Sequence, residues 1–299
     1  MTRVIVIFAV KMNLPFNNSK IEALKFSGFG NELEIDILRD DLIHPIISGN
    51  KWRKLKYIVD HISKNKGQTL VTFGGAYSNH LVAAAYAGKL FGIKTHGFVR
   101  GNEPRDMNAY EKICVENEMT LEHVARAEYK DKYTLFEQFK QKNPNAFFVG
   151  EGGRHPLALK GCAEILNELE KTYDYIFLSI GTGTTMEGIV GACVSKQLKT
   201  KVIGISSLKN NSELDEIMAQ FPVKNWQIEH DYHRGKYAKN DTELRRFIED
   251  FFLETTIRLE FVYTAKMMMA VQDFISKGFF NSSDKILCIH TGGLPQLLQ

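Results

Sequence analysis

The junction at residues 175–185 constrains the fold more than any other stretch. Tyr175–Ile180 (YIFLSI) is apolar without the alternation of a half-exposed strand, and Gly181, Thr182, Gly183, Thr184 and Thr185 lead from it into a helical stretch through Ala192. A short continuous apolar run of this kind suits a strand buried on both faces. The same order recurs along the chain. Thr69–Phe73 runs into Gly74 and Gly75 before the helical stretch Leu81–Phe91, Phe147–Val149 into Gly150–Gly153 before Ala158–Leu169, and Lys285–Ile289 into His290, Thr291, Gly292 and Gly293. Strands that alternate with helices imply an α/β fold, with one or two open, twisted parallel sheets covered on both faces. The 299 residues suffice for one large or two medium domains. Ligands in such folds collect at the carboxyl ends of strands, where these glycine corners lie.

Between the corners the pattern predicts further strands at 32–38, 94–100 and 201–206. Helices are expected at 107–116, 133–141, 213–220 and 242–252, while 118–146 is otherwise charged and loosely patterned. Leu259–Tyr263 reads as a strand or connector before a helix opened by Thr264 and Ala265, whose Met267–Met269 run is core packing. Asp40 and Asp41 read as turn caps.

Net charge is only +3 and the basic residues are scattered, so nucleic acid is not the expected partner. Val4–Val10 is too short to span a bilayer and reads as a strand or an ordered N-terminal arm, so no membrane partner is expected. Cys114, Cys162, Cys193 and Cys288 are far apart in apolar contexts, as buried free thiols in a reducing cytoplasm would be, and no metal site is expected.

Three corners carry chemistry. The 181–185 turn lacks the Gly-Lys-Ser/Thr ending of an NTP loop, and Gly181, Gly183 and Gly188 miss dinucleotide spacing. Backbone N–H groups and threonine hydroxyls at a helix start remain, suited to one phosphate monoester held without a metal. Ser78, Asn79 and His80 follow the paired glycines and form an anion-binding corner; Ser78 or Asn79 as a mere N-cap would explain one of these residues but less well the paired glycines and the Ser-Asn-His run. Lys51 lies in Ser48–Lys56 (SGNKWRKLK) and enters a helix whose apolar face is Leu55, Ile58 and Ile62. A helix entrance disfavours the ammonium form and suits an amine that forms an imine. Alternatively Lys51, Arg53, Lys54 and Lys56 form a solvated basic face.

A lysine amine, a Ser-Asn-His corner and a phosphate nest are parts that a pyridoxal phosphate enzyme needs. The chain resembles the 1-aminocyclopropane-1-carboxylate (ACC) deaminase and D-cysteine desulfhydrase family, with the tryptophan synthase β fold (type II of the pyridoxal phosphate enzymes). The resemblance runs from about Asp40 to Gln299. It is carried by Arg39–Leu42, Ser48–Leu55, Ser78–His80, the 181–185 nest, Val262–Thr264 and His290–Gly293. It implies a larger cofactor-binding domain of residues 1–52 and 161–299, and a smaller α/β domain of residues 53–160. It implies the cofactor imine on Lys51 and the phosphate on Gly181, Thr182, Gly183, Thr184 and Thr185, with Asn79 bonded to the ring hydroxyl. Ser78 would hold the substrate carboxylate with the backbone of Asn79 and His80. Tyr237 and Tyr263 match two tyrosines of the substrate pocket, with Tyr232 a competitor for the first. Tyr77 departs from the family's usual glutamine. A small amino-acid substrate and a homodimer are also implied.

The family's two chemistries differ in their demand on the ring nitrogen. Opening the ACC ring calls for a carboxylate beside that nitrogen to keep it protonated. ACC deaminases have a glutamate after the tyrosine matching Tyr263 and typically leucine at the position matching Thr291. Here Thr264 and Thr291 are hydroxyls, as in the desulfhydrases, which supply no compensating charge. The expectation is therefore β-elimination on D-cysteine or a similar D-amino acid, with Thr264 supporting a neutral ring nitrogen. ACC deaminase is the nearer alternative, and a non-catalytic phosphate-ligand or cofactor-binding protein the more distant one.

Overall fold

The computed structural model describes residues 16–30, 32–207, 212–235 and 241–293. Val4–Val10 and Tyr237 lie outside the described residues. The strands are β1 (Ile21–Ala23), β2 (Glu34–Leu38), β3 (Thr69–Gly75), β4 (Lys94–Arg100), β5 (Thr120–Val124), β6 (Ala146–Phe148), β7 (Tyr175–Ile180), β8 (Lys201–Ser206), β9 (Trp226–Glu229) and β10 (Lys285–Ile289). The helices are α1 (Asn50–Lys64), α2 (Asn79–Phe91), α3 (Ala109–Glu116), α4 (Lys132–Lys142), α5 (Pro156–Ala163), α6 (Thr184–Ser195), α7 (Ser212–Met218), α8 (Thr242–Thr255) and α9 (Thr264–Ser276).

Two sheets result. One has the order β1-β2-β10-β7-β8-β9 and the other β5-β4-β3-β6. All neighbours are parallel except β1 and β2. Strand β7 lies between β10 and β8, so its unbroken apolar run is buried on both faces. Phe177 packs with Phe251, Met267 and Met268 on one side. Leu178 and Ile180 meet Met186 and Ile189 of α6 on the other. In the smaller sheet Leu70 faces Ile58, Val59 and Ile62 of α1, while Phe73 and Phe98 stack over a second cluster with Tyr129. The four cysteines are buried and free. Among the described residues no helix is long and apolar enough to cross a membrane.

The ends of the elements carry local reasons. Ser78 Oγ accepts the Leu81 N–H and starts α2, which Gly92 stops in the left-handed conformation. Asn108 and Glu111 form a capping box at α3. Asp40 and Asp41 do not act as caps. Asp40 takes the Arg53 guanidinium on both carboxylate oxygens and Asp41 takes Arg39. Leu259–Tyr263 forms no strand and ends in a turn that enters α9. Helix α5 stops at Ala163, and Glu164–Asn167 continues it as a 3-10 turn.

Candidate active site

Carboxyl ends of strands from both sheets converge on a cavity of about 470 Å³, a size suited to a small ligand. Lys51, Ser78, Asn79, His80, Tyr263 and Thr291 all line it, together with Gly181, Thr182, Gly183 and Thr185, whereas Thr184 is fully buried and does not. The sequence places these residues more than two hundred positions apart, and parallel topology brings them to one edge.

Lys51 occupies the first turn of α1 because Gly49 turns the chain there at φ 60°. A Cβ on Gly49 would lie 1.9 Å from the Thr291 carbonyl oxygen, and that carbonyl accepts the Asn50 N–H at 3.0 Å. This close backbone approach fixes the lysine helix against the end of β10. Gly49→Ala is expected to destabilise by at least about 1–3 kcal/mol from backbone strain alone, with cofactor retention reduced in parallel. Urea unfolding and visible absorbance of the purified protein check both.

The Lys51 amine is pushed down to about 7, chiefly by burial and then by the charge of Lys54. Burial, rather than the helix entrance, is therefore the leading cause. Lys51 Nζ donates to Asn50 Oδ1 at 2.6 Å, and Asn50 Nδ2 donates to Thr185 Oγ1 at 3.0 Å. One amide thus ties the lysine to the 181–185 turn. The solvated-face alternative fails for Arg53 and Lys54, which are both buried. Lys54 Nζ donates to the Gly152 carbonyl at 2.9 Å on the far side of the cavity, and burial lowers its pKa as well.

Gly183 begins α6 at φ 79°, with Leu214 packed where a Cβ would be. Gly181 lies against the Tyr263 ring. Thr184 is fully buried. His80 Nε2 pairs with Thr72 Oγ1 at 2.8 Å. Burial first, then Lys51 and Lys54, hold the imidazole well below its usual pKa, so it is neutral near pH 7.

The two threonines differ in placement. Thr291 faces the cavity and its hydroxyl shares a 3.0 Å hydrogen bond with Ser179. Thr264 is fully buried in the first turn of α9, and its Oγ1 accepts the Glu260 N–H at 2.9 Å. Glu260, also buried, accepts the N–H groups of Val262, Tyr263 and Thr264 on its carboxylate. Among the described residues lining the cavity, Glu151 is the one carboxylate.

Asn79 Oδ1, His80 Nδ1 and Thr184 Oγ1 are buried without a hydrogen-bond partner in the protein. Such orphaned atoms cost about 1–3 kcal/mol each, and two of these side chains, Asn79 and His80, line the cavity, which indicates a polar ligand. An amine of lowered pKa, a nest with a second buried lysine and free amide capacity together fit pyridoxal phosphate. Among the described residues no group of three or more His, Cys, Asp or Glu is placed to hold a metal. Asn50, Lys54, Ser179, Glu151, Arg100 and Arg126 belong to the cavity although the sequence did not mark them as site residues. Asn50 and Lys54 flank Lys51 on α1, yet nothing local marks either as facing a cavity.

Comparison with known proteins agrees with this fit. The family described as "Pyridoxal-phosphate dependent enzyme" matches residues 19–292. A Thermotoga maritima protein with a provisional ACC deaminase name is 25% identical, covering 95% of this chain and 96% of its own. The Rhizobium radiobacter ACC deaminase is 25% identical over 95% of this chain and 94% of its own. The mitochondrial bifunctional D-cysteine desulfhydrase/ACC deaminase of Arabidopsis thaliana is 26% identical over 89% and 74%. A solved ACC deaminase homologue superposes with a TM-score of 0.80 at 24% identity, covering 100% of this chain and 99% of that one.

Proposed function

Because this chain belongs to the family of pyridoxal-phosphate dependent enzymes, we propose that it is a lyase acting by β-elimination on D-cysteine or a similar β-substituted D-amino acid. The products are pyruvate, ammonia and the leaving group, sulfide in the case of D-cysteine. The observation that carries this reading is the set of groups facing the cavity. Thr291 and Ser179 present hydroxyls, and among the described residues the one lining carboxylate, Glu151, pairs with Lys132 at 3.2 Å. Among the described residues lining the cavity, none is a free carboxylate that could keep a ring nitrogen protonated, as cyclopropane opening demands.

When bound, the cofactor supplies an electron sink for the pair left on Cα. Lys51 would hold its aldehyde, and the Lys51 amine would take the Cα proton. A pKa of about 7 leaves much of that amine free at neutral pH. The nest at 181–185 and the Lys54 ammonium hold the phosphate, and Asn79 holds the ring hydroxyl. Ser78 and the backbone of Asn79 and His80 hold the substrate carboxylate, beside Tyr263. Of the two threonines, Thr291 is assigned to the ring nitrogen. Thr264 steadies the same region through Glu260. The six-stranded sheet, carried by residues 1–52 and 161–299, forms the cofactor's domain, residues 53–160 form the smaller one, and a homodimer belongs to the same reading.

The names of the relatives favour ACC deaminase as a second reading. The two separate in one assay that follows pyruvate from D-cysteine and L-cysteine and 2-oxobutanoate from ACC. At least tenfold faster turnover of D-cysteine than of either competitor is expected. Turnover of ACC with none of D-cysteine would refute the assignment.

A further inference from the structure

The cavity holds more positive charge than this reaction requires. Among the described residues, Lys51, Lys54, Arg100 and Arg126 line it against Glu151 alone. In the reading above Lys51 takes the cofactor aldehyde, Lys54 and the nest answer its phosphate, and the Ser78–His80 turn answers the substrate's α-carboxylate. Arg100 and Arg126 have no such task. Arg100 ends β4 beside Gly75, its partner in the β3–β4 register. A Cβ on Gly75 would lie 3.5 Å from Arg100 Nη2, which puts the guanidinium against the start of the Ser78–His80 turn. The Tyr129 ring, 5.6 Å from Arg100 Cζ, supports it from the side. Its acidic neighbour is weakly placed and shared, since Glu151 Oε1 is 3.7 Å from Arg100 while Oε2 is 3.2 Å from Lys132. Arg126 follows β5 by two residues on the same wall and is exposed.

We propose that Arg100 and Arg126 form a subsite for a second anionic group on the substrate, so that the preferred β-substituent is an oxyanion such as a sulfate or phosphate ester. Planar guanidinium groups pair with such oxyanions through two hydrogen bonds at once. The inference rests on the β-elimination reading and narrows its substrate class. Lys51 takes the Cα proton, the pair left on Cα forms the Cα=Cβ bond, and the Cβ–O bond breaks with its pair on oxygen. Sulfate or phosphate leaves, and water then releases ammonium and pyruvate from the aminoacrylate. No oxidant or reductant is needed.

The test uses the holoenzyme with O-phosphoserine and O-sulfoserine against neutral β-chloroalanine, each as both enantiomers, following pyruvate. The ratio of kcat/KM for the anionic over the neutral substrate is expected to fall about 50-fold in Arg100→Gln/Arg126→Gln and to recover at least tenfold in Arg100→Lys/Arg126→Lys. It should also fall as salt rises from 20 to 500 mM. A ratio that moves less than threefold would overturn the proposal, since the arginines then serve the α-carboxylate common to every substrate, or only the fold. The cofactor's visible absorbance separates this proposal from the elimination reading. Aspartate that perturbs the absorbance at tenfold lower concentration than alanine, with loss of that preference in the glutamine variant, upholds the subsite even if no substrate yields pyruvate. Equal titration by both amino acids overturns it.

Discussion

Lys51→Ala is expected to lower pyruvate formation by roughly 10³-fold or more, since it removes both the covalent anchor and the group that moves the Cα proton. Borohydride reduction followed by peptide mapping should place the cofactor adduct on Lys51 in the parent chain. The rival is Lys54, a second buried amine lining the same cavity and also lowered by burial. Geometry separates the two. Lys54 Nζ donates to the Gly152 carbonyl, away from Asn50 and Thr185. Lys51 Nζ contacts the Asn50 amide, itself fastened to Thr185 of the nest. Charge separates them as well, because the Lys54 ammonium helps to keep Lys51 deprotonated. The sign of the pH effect follows. Free amine attacks the aldehyde, so the rate at which apoprotein takes up pyridoxal phosphate should be level above about pH 7 and fall about tenfold per unit below it. An adduct on Lys54, or a midpoint near the ordinary lysine value, would contradict the assignment.

Much of this site could be read before the fold was in view, and what could not has physical causes. Strands β7 and β10 are central, so burial on both faces leaves an uninterrupted apolar run in the sequence. Strands β5 and β9 are at sheet edges, half-exposed and partly charged, and gave no such run. Their absence from the sequence reading is the ordinary cost of an edge strand's mixed surface. Ser78 is the N-cap of α2, and it lines the cavity as well. Lys54 could not be told from a solvated lysine, because its burial comes from Gly152 and Gly153, about a hundred residues away. For Thr264 the sequence gave the position but not the direction of the hydroxyl, which Glu260 turns into the start of α9. Arg100 and Arg126 matter through a cavity wall that only the packing of two sheets creates.

Asp40 is the clearest case of a partner invisible to local reading, and it carries the largest expected effect on stability. A turn aspartate suggests a cap. Instead its fully buried carboxylate receives Arg53 Nε at 3.0 Å and Nη2 at 2.7 Å, with Ser19 as a further donor. The other edge of the guanidinium meets Glu168 at 2.5 and 2.7 Å, but the Glu168 side chain is 42% exposed. Arg53 itself is buried on α1, two residues beyond Lys51, where the close approach of α5 leaves no space to move it. A Cβ on Gly161 would lie 1.9 Å from the Arg53 carbonyl oxygen. Asp40→Asn therefore leaves a buried cation answered only by a solvent-screened carboxylate, and should cost about 3–5 kcal/mol. Glu168→Gln removes the screened partner and should cost about 1 kcal/mol or less. Urea unfolding measures the contrast as a large fall in midpoint for the first variant and a small one for the second, at unchanged slope. Because Arg53 and Lys51 share the opening turns of α1, Asp40→Asn should also weaken cofactor retention, whereas Glu168→Gln should not. Equal losses in the two variants would mean that burial of the Asp40 carboxylate does not decide how tightly the lysine helix is held.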